Sequence, residues 1–140
     1  MNIGRLGDAD SETSLREGSL GRLGCIADGG PYVVPVNYLF DGQDIYIHSA
    51  PGKKIDALRA NPLACLQVDE IKDTYHWRSV IAYGIYEEIS DDKTREEILV
   101  KLFNRLPNMT PVESRLVEGL KAAIVFRIKV DEITGMGEDW

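Results

Sequence analysis

The run Ile45-Tyr46-Ile47-His48-Ser49-Ala50-Pro51-Gly52-Lys53-Lys54-Ile55-Asp56-Ala57-Leu58 gathers an imidazole, a hydroxyl and two ammonium groups around one short turn. The alternation up to Ser49 reads as a strand, Pro51-Gly52 as a turn, and Lys53 to Ala60 as a helix. Open N–H groups at a helix start, with hydroxyl and ammonium donors beside them, suit an anion and above all a phosphate. The same turn also occurs in proteins that bind nothing, with both lysines simply solvated. The junction therefore needs support from the rest of the chain.

Two other segments could supply it. Tyr32-Val33-Val34-Pro35-Val36-Asn37-Tyr38 reads as a strand containing a proline, which removes one ladder donor. That describes either a bare edge strand or a backbone left open for a ligand. Trp77-Arg78-Ser79 opens another strand with an aromatic plane, a guanidinium and a hydroxyl. Those residues are either a half-buried tryptophan with a surface arginine or part of a cleft.

Other chemistries lack their residues. The only histidines are His48 and His76, and Cys25 and Cys65 are far apart in sequence, with no HExxH or CxxC, so a zinc site is not expected. Both cysteines lie in apolar strand-like runs and read as packing residues. There is no GxSxG elbow, and His48 and Ser49 are strand neighbours that point to opposite faces. The GxGxxG and GxxxxGK[ST] phosphate cradles are also missing. A net charge of −7 with 16 scattered basic residues opposes nucleic acid, although it leaves room for one local cationic pocket.

The elements that must position these groups follow from periodicity. Asp10 to Glu17 reads as a short lead-in helix stopped by Gly18, within a segment 1–19. Strands are expected at Leu20 to Ala27, Pro31 to Phe40 and Asp44 to Ser49, with turns at Asp28-Gly29-Gly30 and Asp41-Gly42. Asn61-Pro62 ends the Lys53 helix, and a fourth strand runs from Leu63 to Asp69. Glu70 to His76 reads as a loop and Trp77 to Ile89 as a fifth strand, with a bulge or bend at Gly84. Ser90-Asp91-Asp92 caps a helix with Ile98, Leu99, Leu102, Phe103 and Leu106 on one stripe. Thr110-Pro111-Val112-Glu113 starts a further helix to Leu120, Ala122 to Val130 alternates as a sixth strand, and 134–140 reads as an aperiodic tail.

Six strands with helices inserted at two places point to a mainly β fold, a six-stranded antiparallel barrel, rather than a doubly wound parallel sheet. The 140 residues form one domain in this reading. No basic-then-apolar leader opens the chain and no run nears the ~20 apolar residues of a membrane span. A soluble, cytoplasmic protein without membrane contact is expected.

Taken in order, Gly21-Arg22-Leu23-Gly24, Pro35-Val36-Asn37-Tyr38 with Asp41-Gly42, Ile45 to Leu58, Asn61-Pro62, Val68-Asp69-Glu70, Trp77-Arg78-Ser79-Val80 and Tyr83-Gly84 resemble one family. It is the FMN-binding split-barrel family related to pyridoxamine 5'-phosphate oxidase, in the branch that includes nitroimidazole-resistance proteins. The resemblance implies a split barrel and a homodimer with FMN in clefts at the subunit interface. It implies that Ser49, Lys53 and Lys54 hold the FMN phosphate and that His48 lies beside the ribityl chain or phosphate. It further implies that the backbone of Pro35, Val36, Asn37 and Tyr38 meets the pyrimidine edge of the flavin, while Trp77, Arg78 and Ser79 reach it from the other subunit.

Val33 and Tyr38 stand where pyridoxamine 5'-phosphate oxidase proper carries an arginine and a lysine, and its C-terminal substrate-binding segment has no counterpart. The expected activity is therefore FMN-dependent reduction of a small acceptor, nitroaromatic or quinone-like, with electrons from a nicotinamide donor. The alternative is a flavin or haem carrier or sensor without turnover. No side chain is expected to act as a nucleophile, because the cofactor carries the redox chemistry.

Overall fold

The computed structural model describes residues 3–105 and 123–138. Its elements are β1 (Ile3–Arg5), α1 (Asp8–Glu17), β2 (Leu20–Ala27), β3 (Gly30–Asn37), β4 (Leu39–Phe40), β5 (Asp44–Ser49), α2 (Lys53–Ala60), β6 (Leu63–Asp73), β7 (His76–Glu88), α3 (Asp92–Arg105) and β8 (Ile124–Glu138). No helix among the described residues is long and apolar enough to cross a membrane.

All strand pairings are antiparallel, in the order β3-β2-β6-β7-β8-β5-β4, with β1 added to one end of β8. The two edge strands of this order, β3 and β4, are separated in sequence by Tyr38 alone. One residue cannot span an open sheet seven strands wide, so the sheet curls until its edges approach without pairing, giving the expected split barrel. Inside lie Leu23, Ile45, Ile47, Leu66, Val80, Phe126 and Ile128, all fully buried. Each comes from the inward-facing half of an alternating strand.

The strands outnumber the six expected. Pro31 to Phe40 divides at Tyr38 into β3 and β4, because the chain there passes from one sheet edge to the other. The expected loop at Glu70 to His76 is a correction: β6 continues to Asp73 and β7 begins at His76, leaving a tight turn whose Tyr75 N–H donates to the Asp73 carboxylate at 2.8 Å. The expected tail from Thr134 is another. β8 runs to Glu138, pairing with β7 on one side and β1 on the other. Gly135 and Gly137 weaken the periodic signal there, yet both are needed, since a Cβ would meet the Ser11 hydroxyl and the Trp77 carbonyl at 2.4 and 2.9 Å.

α1 and α3 each bury an apolar face against the sheet. α1 buries Ser11, Ser14 and Leu15, an i, i+3, i+4 face. Asp91 caps α3 by accepting the Thr94 N–H at 2.9 Å, and Ile98, Leu99 and Leu102 pack with Val125 into a second small core. Val125 lies on the face of β8 opposite Phe126 and is buried there because α3 lies on that face. The helix expected at Thr110 to Leu120 lies outside the described residues.

Candidate functional site

β5 pairs with β8 along its whole length, so Ser49 sits opposite Ile124 and the strand ends at the barrel rim. Ile45, Ile47 and Ser49 are buried, while Tyr46 and His48 lie half-buried on the other face. The His48 ring packs on Phe103 of α3, with centroids 5.3 Å apart. Burial and then the nearby Lys54 ammonium push the His48 pKa below its usual value. The Ser49 hydroxyl donates to the Ala50 carbonyl at 2.8 Å.

Gly52 precedes α2 and offers no side-chain cap, so the first-turn N–H groups of the helix have no capping side chain among the described residues. Lys53 stands over the Tyr32 ring with its Nζ 5.0 Å from the centroid. Lys54 is partly buried, and that burial lowers its pKa against the opposing pull of Cys25. No carboxylate forms an ion pair with either lysine among the described residues. Two cations and an uncapped helix start thus converge beside an imidazole.

The backbone of β3 can be read from its turn. Asp28 and Gly29 have φ of 52° and 76°, the two-residue turn that makes Ala27 and Gly30 a hydrogen-bonded pair. The ladder then alternates, and the Tyr38 N–H donating to Ser19 at 3.0 Å agrees with that phase. Pro31, Val33, Pro35 and Asn37 therefore turn their backbone polar groups away from β2. Both prolines occupy positions where an N–H would face the open edge, leaving Val33 and Asn37 as edge donors with carbonyls between them.

Trp77, Arg78 and Ser79 begin β7, opposite Ile71, Glu70 and Asp69 of β6. The Trp77 indole donates to the buried Glu138 carboxylate at 3.3 Å, and Arg78 donates to the Ser14 hydroxyl at 3.3 Å. The Gln67 amide donates to Ser79 and Asp69 at 3.1 and 3.0 Å, and Arg22 pairs with Asp69 at 3.2 Å. Pro35, Arg22, Gln67 and Ile81 form one row across β3, β2, β6 and β7.

Within one chain these groups form two sets. His48, Ser49, Lys53 and Lys54 gather at the Tyr32 end of β3, while Trp77, Arg78 and Ser79 lie near the row of Asn37. Tyr32 and Asn37 are five residues apart, roughly 16 Å along a strand. At the Tyr32 end the outer face is apolar: Gly24, Ile26, Val33, Leu63, Cys65 and Tyr83 line a groove of about 440 Å³. Val33 is 63% exposed there and Leu63 54%. Of the residues expected in the site, Val36 and Tyr38 have buried side chains, and in the same phase the Val36 main chain and the Tyr38 N–H are turned toward β2 rather than the open edge.

Sequence reasoning missed Tyr32 beneath Lys53 and Phe103 against His48, contacts between elements that no spacing announces. It also missed Arg22 and Asp69 as partners of the Gln67–Ser79 pair. Their one legible signal was polar residues at outward positions of otherwise apolar strands.

The family model described as pyridoxamine 5'-phosphate oxidase matches residues 8–136. An uncharacterized protein of Rhizobium meliloti (strain 1021) is 36% identical over 127 residues, covering 84% of this chain and 83% of that protein. The crystal structure of a FAD-binding protein from Mesorhizobium loti superposes with a TM-score of 0.78 at 30% identity, covering 99% of this chain and all of the other. A candidate 5-nitroimidazole antibiotic resistance protein from Bacteroides thetaiotaomicron shares the fold, with a TM-score of 0.74 at 21% identity over 99% of this chain and 94% of its own. The matched span holds all of β2 to β7 and both sets of polar groups, and the chain belongs to the pyridoxamine 5'-phosphate oxidase family.

Proposed function

We propose that this chain is a flavin-dependent oxidoreductase, binding FMN along the open edge of β3 and working as a homodimer. The observation that carries it is the pair Lys53 and Lys54, without ion-paired carboxylates among the described residues, at the uncapped start of α2 and at one end of that edge. A flavin mononucleotide has an anion at one end and a polar pyrimidine edge at the other, which is how cations and open backbone are distributed here.

The residues have separable tasks. Lys53, Lys54, Ser49 and the α2 N–H groups hold the phosphate; Ser49 must turn its hydroxyl from the Ala50 carbonyl to donate. His48, flanked by Phe103, lies beside the ribityl chain. The outward main-chain groups of Pro35 and Asn37, in the segment Pro35 to Tyr38, orient the ring, with Asn37 N–H donating to a ring carbonyl. The apolar groove takes the second copy of the chain, which brings Trp77, Arg78 and Ser79 to the flavin and excludes water. The flavin supplies hydride and single-electron chemistry, so no side chain need act as a nucleophile.

The donor is a nicotinamide dinucleotide and the acceptor a small nitroaromatic or quinone. Reconstitution with FMN followed by NADH or NADPH without oxygen tests this. Uptake and bleaching of the flavin absorbance is the expected result. Protein that stays yellow is a carrier rather than an enzyme, and protein that ignores FMN binds no flavin at this site.

A further inference from the structure

Gln67 stands between two partners on the outer face of β6 and β7. Its side-chain amide donates to the Asp69 carboxylate at 3.0 Å and to the Ser79 hydroxyl at 3.1 Å, and Arg22 donates to the same carboxylate oxygen at 3.2 Å. Register makes the cluster: Arg22 lies opposite Gln67 and Asp69 opposite Ser79, and Gln67 and Asp69, two apart, share a face. An ionised carboxylate only accepts, so the amide presents its NH2 to Asp69, and its other hydrogen goes to Ser79. The direction of every bond is thereby set. Having accepted from Gln67, the Ser79 hydroxyl still has its own hydrogen to give, and no acceptor among the described residues takes it. Its remaining neighbours on that face are Met136 across the ladder and Trp77 and Ile81 along β7, none of which carries a strong acceptor.

From this polarity we infer that Arg22, Asp69 and Gln67 are positioning residues that fix Ser79 as a hydrogen-bond donor to the flavin ring, favouring the reduced form. The inference rests on the flavin reading above, in which Ser79 reaches the ring from the other subunit, and adds the residues that set the direction of its hydroxyl. Reduction raises the electron density on acceptor atoms of the ring; the two electrons arrive with the hydride of the nicotinamide donor, and Ser79 keeps its proton throughout. A donor already aimed at such an atom needs no reorganisation as charge grows there. Arg22 offsets the charge of Asp69, so the chain supplies orientation without a bare carboxylate beside the ring. Both members of that ion pair are partly exposed, so it contributes direction more than stability.

Gln67→Glu provides the test, because glutamate keeps the shape of the side chain and, when ionised, has no hydrogen to give. The Ser79 hydroxyl then turns to Glu at that position and is lost to the flavin. The readout is the midpoint potential of FMN-loaded protein in a cycle of wild type, Ser79→Ala, Gln67→Glu and the double variant, in which the effect of the added charge cancels. In the wild-type background Ser79→Ala should lower the affinity for reduced relative to oxidised FMN about tenfold, or about 30 mV for a two-electron couple; in the Gln67→Glu background it should change that ratio by less than about twofold. Equal shifts in the two backgrounds, or no shift in wild type, overturn the inference and leave the flavin reading standing. Folded protein that takes up no FMN sinks both. A second measurement needs no cofactor. The chain has two glutamines, and in flavin-free protein the Gln67 side-chain amide hydrogens should exchange with water at least about tenfold more slowly than those of the exposed Gln43, a difference that Asp69→Ala abolishes. Equal exchange rates in wild type mean that the amide is not held in one direction, which also overturns the inference.

Discussion

The Tyr38 hydroxyl donates to the Leu15 carbonyl across 2.7 Å, joining the single residue between the two barrel edges to the last turn of α1. Both side chains are almost fully buried, so this bond has no water to replace it. Tyr38→Phe leaves the carbonyl without that donor and should cost about 1–3 kcal/mol, read as a lower urea midpoint at an unchanged slope.

Gly84 sits where the β7–β8 register shifts, and a Cβ there would lie 2.2 Å from the Lys129 carbonyl oxygen. Backbone cannot move aside as a side-chain tip can. Gly84→Ala should destabilise by about 3 kcal/mol or more, or yield no folded protein. A melting temperature within a few degrees of wild type would contradict the close packing of these strands.

His48 carries a pH dependence. Its folded pKa lies below the ordinary value, through burial first and Lys54 second. As pH falls below about 6.5 the unfolded chain therefore binds protons before the folded one, and stability declines. The stabilisation is present above that pH and lost as pH falls toward the folded pKa, with a slope of at most about 1.4 kcal/mol per unit. Asp41, Asp73, Glu87, Glu88 and Asp91 have lowered pKa values and act at more acidic pH. His48→Asn should flatten denaturation midpoints between about pH 6.5 and 5 and leave the more acidic loss in place.

The exposed Val33 and Leu63 test the homodimer. Val33→Asp with Leu63→Arg puts charges into an apolar groove and should convert dimer to monomer in sedimentation, with flavin binding lost as well. Retention of both by the variant, or a wild-type monomer that binds flavin, would remove the second subunit from the site.

Periodicity located most of the fold because alternation is physical: β2, β5 and α2 begin and end where their apolar patterns do. It failed at β6 beyond Asp69 and at the end of β8. Polar residues and glycines occupy those strands because one face is wet or pressed against α1, which erases the signal. At the site, the lysines and the proline-bearing strand were legible as local chemistry. The Tyr32 and Phe103 contacts were not, since they arise only when the barrel closes and α3 docks.

The most direct test of the account is FMN affinity in Lys53→Ala with Lys54→Ala, measured beside wild type on folded protein. Each charge-assisted contact contributes about 1.5–3 kcal/mol, so the double variant should bind at least about tenfold more weakly. Unchanged affinity would place the phosphate elsewhere and contradict the site described here.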